Sequence, residues 1–185
     1  MPRNVSPSGP RPRPPAHPPA GGHNPGIRPH PMPHPTPHPM PHPMPHPAPG
    51  GFADHGRQPY VIDINRATIN NQNYRTTIWT GKYLQSTLMS IPPGGEIGLE
   101  VHHDTDQFLR IERGQGIVQM GSRRNHLNIR QPLFDDFAVF VPAGTWHNIT
   151  NIGNTPLKIY SIYAPPHHPP GTVHATKAIA DMMGD

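Results

Sequence analysis

The chain of 185 residues contains no cysteine. Disulfide bonds, cysteine-ligated zinc sites and thiol nucleophiles are therefore excluded, although this absence leaves the cellular compartment open. No apolar run approaches the roughly 20 residues of a membrane span, and the opening MPRNVSPSGP lacks the hydrophobic core of a signal peptide. These absences predict a soluble cytoplasmic protein with no membrane partner.

Acidic residues are missing from the chain before Asp54, where Arg3, Arg11, Arg13 and Arg28 are the only charged side chains. After that point 11 Lys and Arg residues balance 11 Asp and Glu residues. The whole formal charge of +4 thus lies in the N-terminal segment. A neutral folded part has no basic stripe to neutralise phosphates, so the sequence predicts no nucleic-acid partner.

Proline is concentrated at the N-terminus, where 20 of the 30 prolines fall within residues 1–50. The stretch RPHPMPHPTPHPMPHPMPHPAPGG (28–51) alternates proline with histidine or methionine, which removes every second backbone donor and excludes helix and sheet. We therefore predict that residues 1–56 form a disordered tail of extended polyproline-II conformers. A histidine recurs at every fourth position of the repeat, namely His30, His34, His38, His42 and His46.

Two interpretations of this repeat stay open. Neutral imidazoles are good ligands for Zn, Ni and Cu, so the tail would bind additional metal ions weakly and multivalently. The alternative is a low-complexity spacer or surface brush. The spacer is favoured, because an extended chain loses conformational entropy when it wraps around a metal.

The composition and the hydrophobic pattern of the chain change from Tyr60 onwards. Short apolar-rich runs, rich in β-branched and aromatic residues, are separated by Gly, Pro, Asn and Asp about every ten residues. This pattern predicts an all-β sandwich or barrel over residues 57–175. A short C-terminal helix or tail is expected at 176–185, and 60–74 reads as a strand or a short helix followed by a loop. The predicted strands are 83–91, 97–102, 107–112, 116–120, 126–130, 137–141, 148–152 and 157–163.

Candidate ligand side chains lie in or directly beside three of these segments. In an extended run, residues two apart share a face, so Glu100 and His102 point the same way and His103 points to the other side. Gln107 opens the next strand after the turn DTD, and His147 follows a Pro-Gly turn at the start of another strand. If these strands are neighbours, the four side chains converge inside the barrel. Such ligands suit a divalent ion such as Mn, Fe, Ni or Zn.

The spacing of these residues resembles the two motifs of the cupin superfamily. The first motif runs Pro-Gly, five residues, His-x-His, four residues, Glu, six residues, Gly. The second, Pro-x-Gly, two residues, His, three residues, Asn, is met by Pro142, Gly144, His147 and Asn151, with Asp136 in place of the usual leading glycine. The first is matched in register by Pro93, Gly94, Glu100, His102, Gln107 and Gly114.

The resemblance implies a double-stranded β-helix, or jelly-roll barrel, over roughly residues 75–165. It also implies a metal held by Glu100, His102, Gln107 and His147. The usual cupin set of three histidines and one glutamate is altered twice here, since Glu100 replaces the first histidine and Gln107 replaces the glutamate. Sugar-phosphate isomerases of the cupin class carry glutamine at the first of these positions, which is a precedent for a non-histidine ligand there.

Within the superfamily the chain is most similar to small single-domain cupins of the mannose-6-phosphate isomerase-like group, and the run 158–174 fits that group. The first hypothesis is therefore a metal-binding cupin that binds or isomerises a sugar or sugar phosphate. Glu100 would be the catalytic base if it is not a ligand. Trp146 could stack on a sugar ring and Arg110 could bind an anionic group, although packing and an ion pair are the alternatives. A homodimer is expected from the resemblance.

Two further hypotheses stay open. One is a non-catalytic cupin with a structural, storage or metal-buffering role, in which the tail serves a spore-coat-like or other surface layer. The other is an iron-dependent dioxygenase, disfavoured because Gln107 leaves an unfamiliar ligand set for iron. The segment 164–174 is expected to wrap over the barrel, and His167, His168 and His174 are expected to form a surface cluster.

Overall fold

The computed structural model describes residues 53–184. The predicted tail therefore lies outside the described residues up to position 52, together with its histidine repeat. Two short helices and nine strands make up the described part. They are α1 (Ile64–Asn70), β1 (Arg75–Thr80), β2 (Gln85–Ile91), β3 (Asp106–Arg113), β4 (Gly116–Gly121), β5 (Ile129–Leu133), β6 (Ala138–Val141), β7 (Trp146–Asn151), β8 (Leu157–Ala164), β9 (Val173–His174) and α2 (Lys177–Met182).

The strands form two antiparallel sheets. One has six strands in the order β6-β3-β8-β2-β1-β9, and the other has three in the order β5-β4-β7. Non-sequential neighbours such as β3 and β8 are typical of a jelly roll, in which strands return from a distance to pair with early ones. This architecture confirms the predicted all-β jelly-roll barrel. None of the described helices is long and apolar enough to cross a membrane.

The predicted strand at 97–102 is an irregular ribbon rather than a regular strand. Its backbone nevertheless pairs with β7, through hydrogen bonds from Ile97 N to Ile149 O (2.9 Å) and from Glu100 N to His147 O (3.0 Å). Isolated bridges at Glu96–Thr150 and Glu100–His147 mark the same register. This ribbon therefore links the end of β2 to the small sheet and holds the Glu100 segment in place.

Alternation along the strands fills the barrel with aliphatic side chains. Leu109 and Ile111 on β3, Ile149 on β7 and Ile159 on β8 are fully buried in one cluster, which also contains Met89. Burial of each such side chain contributes about 1.5–3 kcal/mol. The period of two predicted from the sequence is thus expressed in the packing, and Gln107, two residues before Leu109 on β3, faces the same interior.

Helix α1 settles the ambiguous segment in favour of a helix. Asp63 caps it, since the Asp63 Oδ1 atom accepts a hydrogen bond from Arg66 N at 3.0 Å. The helix packs on the outer face of the large sheet, where Ala67 joins a second small cluster with Ile78 and Leu88. The predicted C-terminal helix is also confirmed, with Thr176 as its N-cap.

Two motif positions show why glycine is favoured there. Gly114 has a φ of +101°, and a Cβ at this position would lie 3.0 Å from the Leu157 Cα atom. Asp136, which replaces the leading glycine of the second motif, also has a positive φ of +69°. Aspartate tolerates this left-handed conformation better than most residues, so the substitution keeps the turn.

Lys158 gives a first prediction about stability. It is 1% exposed, and its Nζ atom donates to Asn71 O at the end of α1 and to Ser90 Oγ at 2.9 Å. Burial lowers its pKa, and Arg113 lowers it further. We expect Lys158→Ala to lower the free energy of unfolding by about 2–4 kcal/mol, because the buried stem and both hydrogen bonds are lost. Urea denaturation measures this change.

The matched control for that measurement is Lys177→Ala. Lys177 is a lysine at the surface whose Nζ atom pairs with Asp181 Oδ1 at 2.7 Å, one helical turn away. An exposed pair of this kind contributes about 0.3–0.5 kcal/mol. If the two variants lose equal stability, the buried hydrogen bonds of Lys158 do not support α1.

Candidate metal centre

Three of the predicted ligands converge at one end of the barrel. Glu100 and His147 exchange both backbone hydrogen bonds, at 3.0 and 2.9 Å, so they are direct partners and their side chains share a face. His102 lies two residues further along the ribbon and points the same way. One ligand atom from each of the three side chains lies within 4.8 Å of the others. The Nε2 atoms of both histidines are 3.3 Å from Glu100 Oε1.

The ligand atoms are buried, and apart from their contacts with one another they lack hydrogen-bond partners. His147 is fully buried and His102 is 7% exposed. Both Nε2 atoms, together with Glu100 Oε1 and Gln107 Oε1, are buried without a hydrogen bond within the described part of the chain. A buried polar atom left unsatisfied costs about 1–3 kcal/mol. A divalent cation would satisfy the converging atoms of Glu100, His102 and His147 together, so this donor set fits a metal ion.

The tautomer of His147 also suits metal binding. Its Nδ1 atom lies 3.0 Å from the backbone oxygen of Thr145. Because a carbonyl oxygen can only accept, this contact assigns a proton to Nδ1, so that the neutral ring carries its lone pair on Nε2. A hydrogen bond of this type fixes the ring orientation of metal-ligating histidines.

Glu100 is held in its ionised form. Burial raises its pKa, but the hydrogen bonds and the positive charge that His102 and His147 offer when their rings are protonated lower the pKa by more, so that it falls well below its usual range. A bound cation would supply positive charge at the same place. A permanently ionised carboxylate is a good metal ligand and a weak base. This electrostatic environment favours ligation by Glu100 over the alternative role of catalytic base.

Gln107 lies beside this group with its amide oriented. Its Nε2 atom donates to Ser161 Oγ at 3.0 Å, which leaves Oε1 as the atom available to a ligand. Gln107 is 3% exposed and is the direct cross-strand partner of Tyr163, so both side chains lie on the same face. The Tyr163 ring is 5.7 Å from the His102 ring, centroid to centroid. The predicted ligand therefore faces the centre, while direct coordination by Gln107 stays a prediction.

The structure does not bring Arg110 and Trp146 to the centre. Arg110 is three positions after Gln107 on β3 and so lies on the outer face, where it pairs with Asp136 and its Nε atom is 3.4 Å from Glu112 Oε1. Trp146 directly precedes His147 and faces away from it, with the guanidinium of Arg124 at 5.7 Å from its ring. Their predicted substrate-binding role has no support from this geometry. For Arg110 the structure shows the alternative interpretation, an ion pair.

The sequence interpretation missed a second set of rings at the centre. The His167 ring lies 4.1 Å from the His102 ring, and the His168 ring lies 4.9 Å from the Tyr163 ring. His168 and His174 are only 5% and 4% exposed. The expectation of a surface cluster is therefore wrong for these two histidines, and only His167 is exposed. The missed signal was the adjacent pair of histidines that begins four residues after the buried Tyr163.

A jelly-roll barrel with an acid and two histidines converging at one end defines the class of cupin-type metal centres. Residues 87–163 match the family model described as "Cupin domain". The chain is 61% identical over 132 residues to the uncharacterized protein YrkC of Bacillus subtilis (strain 168), covering 71% of each. It is 40% identical over 117 residues to the uncharacterized protein L612 of Acanthamoeba polyphaga mimivirus, covering 63% of this chain and 71% of L612.

A solved structure supports the same family assignment. The crystal structure of BH2720 from Bacillus halodurans matches with a TM-score of 0.70 and 56% sequence identity, covering 71% of this chain and 99% of BH2720. The chain belongs to the cupin superfamily.

Proposed function

We propose that the protein binds one divalent metal ion through Glu100, His102 and His147, with Gln107 as a fourth ligand, and uses the site to bind a small polar ligand. The observation that supports this is the convergence of buried donor atoms that have no other partner. Two imidazoles and one carboxylate suit Mn, Fe, Ni or Zn. When bound, such an ion supplies Lewis acidity that polarises an oxygen of the ligand.

We further propose a sugar or sugar phosphate as the ligand, with isomerisation as the reaction if the protein is an enzyme. Isomerisation needs a proton moved between adjacent carbons. Ionised Glu100 is the acidic group at the centre, but its low pKa weakens it as a base. The site's residues therefore support ligand binding and orientation more strongly than proton transfer. Incubation of the metal-loaded protein with mannose 6-phosphate, followed by sugar analysis, tests the reaction.

Metal analysis tests the site itself. The full chain and a shortened chain that begins at Ala53 are loaded with each of the four metals, dialysed and analysed by mass spectrometry. The cut is placed before Asp54, because the Oδ2 atom of Asp54 accepts hydrogen bonds from Thr80 Oγ1 at 2.6 Å and Gly171 N at 2.8 Å. We expect the shortened chain to retain one equivalent. Metal bound only when residues 1–52 are present would contradict the proposal.

An iron-dependent dioxygenase is a second candidate with a specific observation in its favour. The converging group consists of two histidines and one carboxylate, which is the ligand type of non-haem Fe(II) oxygenases. Gln107 as an added neutral ligand would leave fewer open positions for oxygen and substrate. Oxygen consumption by the Fe(II)-loaded protein in the presence of candidate substrates distinguishes this reaction from isomerisation.

A non-catalytic role is the candidate that the tail supports. The repeat at residues 28–51 offers a histidine at every fourth position, which suits weak buffering of several ions or a place in a surface layer. Isothermal titration of both chain lengths with Zn²⁺ separates the two kinds of binding. Several weak equivalents that disappear with the tail, beside one tight equivalent that remains, would assign both roles to one protein. A homodimer, tested by sedimentation, remains a proposal.

A further inference from the structure

The segment that follows β8, residues 165–168, is here called the strap. It leaves the barrel wall after Ala164, and both of its histidine rings contact the ring of Tyr163, at 5.7 Å for His167 and 4.9 Å for His168. No strand pairing holds this segment. Its position at the metal centre must therefore come from side chains.

The side chain of Gln85 holds the strap backbone. It is fully buried at the start of β2 and is the direct cross-strand partner of Tyr163. Its Nε2 atom donates to His168 O at 2.8 Å and to Thr80 Oγ1 at 3.1 Å. Its Oε1 atom accepts from His167 N at 3.2 Å and from His168 N at 2.9 Å. Both amide protons and both acceptor positions of Gln85 are thus used, mostly on the strap backbone.

This anchoring leaves the His167 ring at the entrance of the centre. The ring is exposed, although it lies only 4.1 Å from the ring of His102, which is 7% exposed. His167 is not part of the group of ligand atoms within 4.8 Å. It therefore stands one layer outside the metal ligands, on the solvent side.

The charge of the centre indicates what His167 would meet there. Glu100 is the only acidic residue among the four proposed ligands, because Gln107 is neutral. A divalent ion held by these residues keeps a net positive charge of one and attracts an anionic oxygen. An imidazole beside the open side can donate a hydrogen bond to a second oxygen of the same group.

We propose that His167 is a ligand-contact residue, which hydrogen-bonds a carboxylate or phosphate group bound at the metal, and that Gln85 is its positioning residue. This inference rests on the proposed metal site. It assigns to the strap the recognition of the anionic group, a role for which the sequence interpretation had offered Arg110.

The test uses the full chain loaded with Co²⁺ and titrated separately with acetate and inorganic phosphate, while the visible cobalt bands are recorded. The spectrum of the His147→Ala chain, which retains the tail, is subtracted. His167→Ala is expected to keep the cobalt bands and to raise the dissociation constant of the contacted anion about tenfold, which corresponds to one hydrogen bond to a charged group. Whichever probe responds identifies the group. His167→Gln, which keeps a donor, should recover part of the affinity.

Two further variants complete the test. Gln85→Leu should lower the affinity for the same anion while cobalt is retained. If this variant fails to fold, the result with His167→Ala still decides the matter. The control is His126→Ala, which replaces an exposed histidine in the loop after β4 and should leave the affinity for both anions unchanged. Unchanged affinity for both anions in His167→Ala overturns the inference, as does loss of cobalt, which would make His167 a metal ligand. Absence of the bands in the parent chain refutes the proposed metal site instead.

Discussion

The His147→Ala variant is expected to lose the tightly bound metal ion, with affinity falling at least about 100-fold, since even outer partners of metal ligands are worth about 10–100-fold. His147 is fully buried, and its Nε2 atom, with the proton fixed on Nδ1 by Thr145 O, has no other hydrogen-bond partner among the described residues. Mass spectrometry of the dialysed shortened chain that begins at Ala53 measures the loss without interference from the tail histidines.

Thermal stability gives an independent readout of the same variant. A ligand that binds only the folded state stabilises it by about 2.7 kcal/mol at a concentration 100 times its dissociation constant. Metal addition should therefore raise the melting temperature of the parent chain and leave that of His147→Ala unchanged. The matched control is His174→Ala, which removes another buried histidine, 4% exposed and outside the ligand group. If both variants lose the metal, the loss reflects general destabilisation.

The ligand group itself could be predicted from the sequence because it depends on local spacing. Glu100 and His102 are two residues apart, and this spacing orients them alike even though the ribbon is not a regular strand. Its register is held by the paired backbone of Glu100 and His147. The Pro-Gly turn before His147 places that residue at the start of β7, as the second motif implied.

The same period of two predicts that Arg110 and Trp146 do not face the metal centre. Arg110 is an odd number of positions from Gln107, and Trp146 is adjacent to His147, so each points away from the predicted ligand on its own strand. The chemistry of both side chains suits ligand binding, but their strand positions direct them away from the centre. The structure's outer-face ion pair of Arg110 with Asp136 follows from this simple parity.

His167 could not be placed in this way. The strap has no strand pairing and no periodic pattern, and its path depends on Gln85, which lies 82 positions earlier in the chain. Composition predicted a polar surface segment there, and long-range hydrogen bonding instead buries His168 against Tyr163. Sequence patterns report local geometry well, whereas tertiary contacts of irregular segments need the folded structure.

Gln107→Glu is expected to have the second large effect, an increase in divalent metal affinity of about 10–100-fold. The change adds a negative charge beside the centre, where an ion pair in a partly buried site is worth a few kcal/mol before desolvation is subtracted. The Ser161 hydroxyl accepts a hydrogen bond from the Gln107 amide and donates one to Phe108 O at 3.2 Å. In the variant it can rotate and donate to the new carboxylate instead. The fold should therefore accept the substitution.

The expected signature of this variant is that its melting temperature, compared with that of the parent chain, changes from lower to higher when metal is added. Without the ion, two buried carboxylates at positions 100 and 107 repel each other, so Gln107→Glu should melt below the parent chain. With the ion it should melt above the parent, because binding is tighter. Gln119→Glu adds the same charge on the outer face of β4 and is the control, with no expected effect on metal affinity. Equal metal affinity in Gln107→Glu and the parent would place Gln107 outside the coordination sphere, and the neutral residue in the first motif would then leave the charge of the metal centre unchanged.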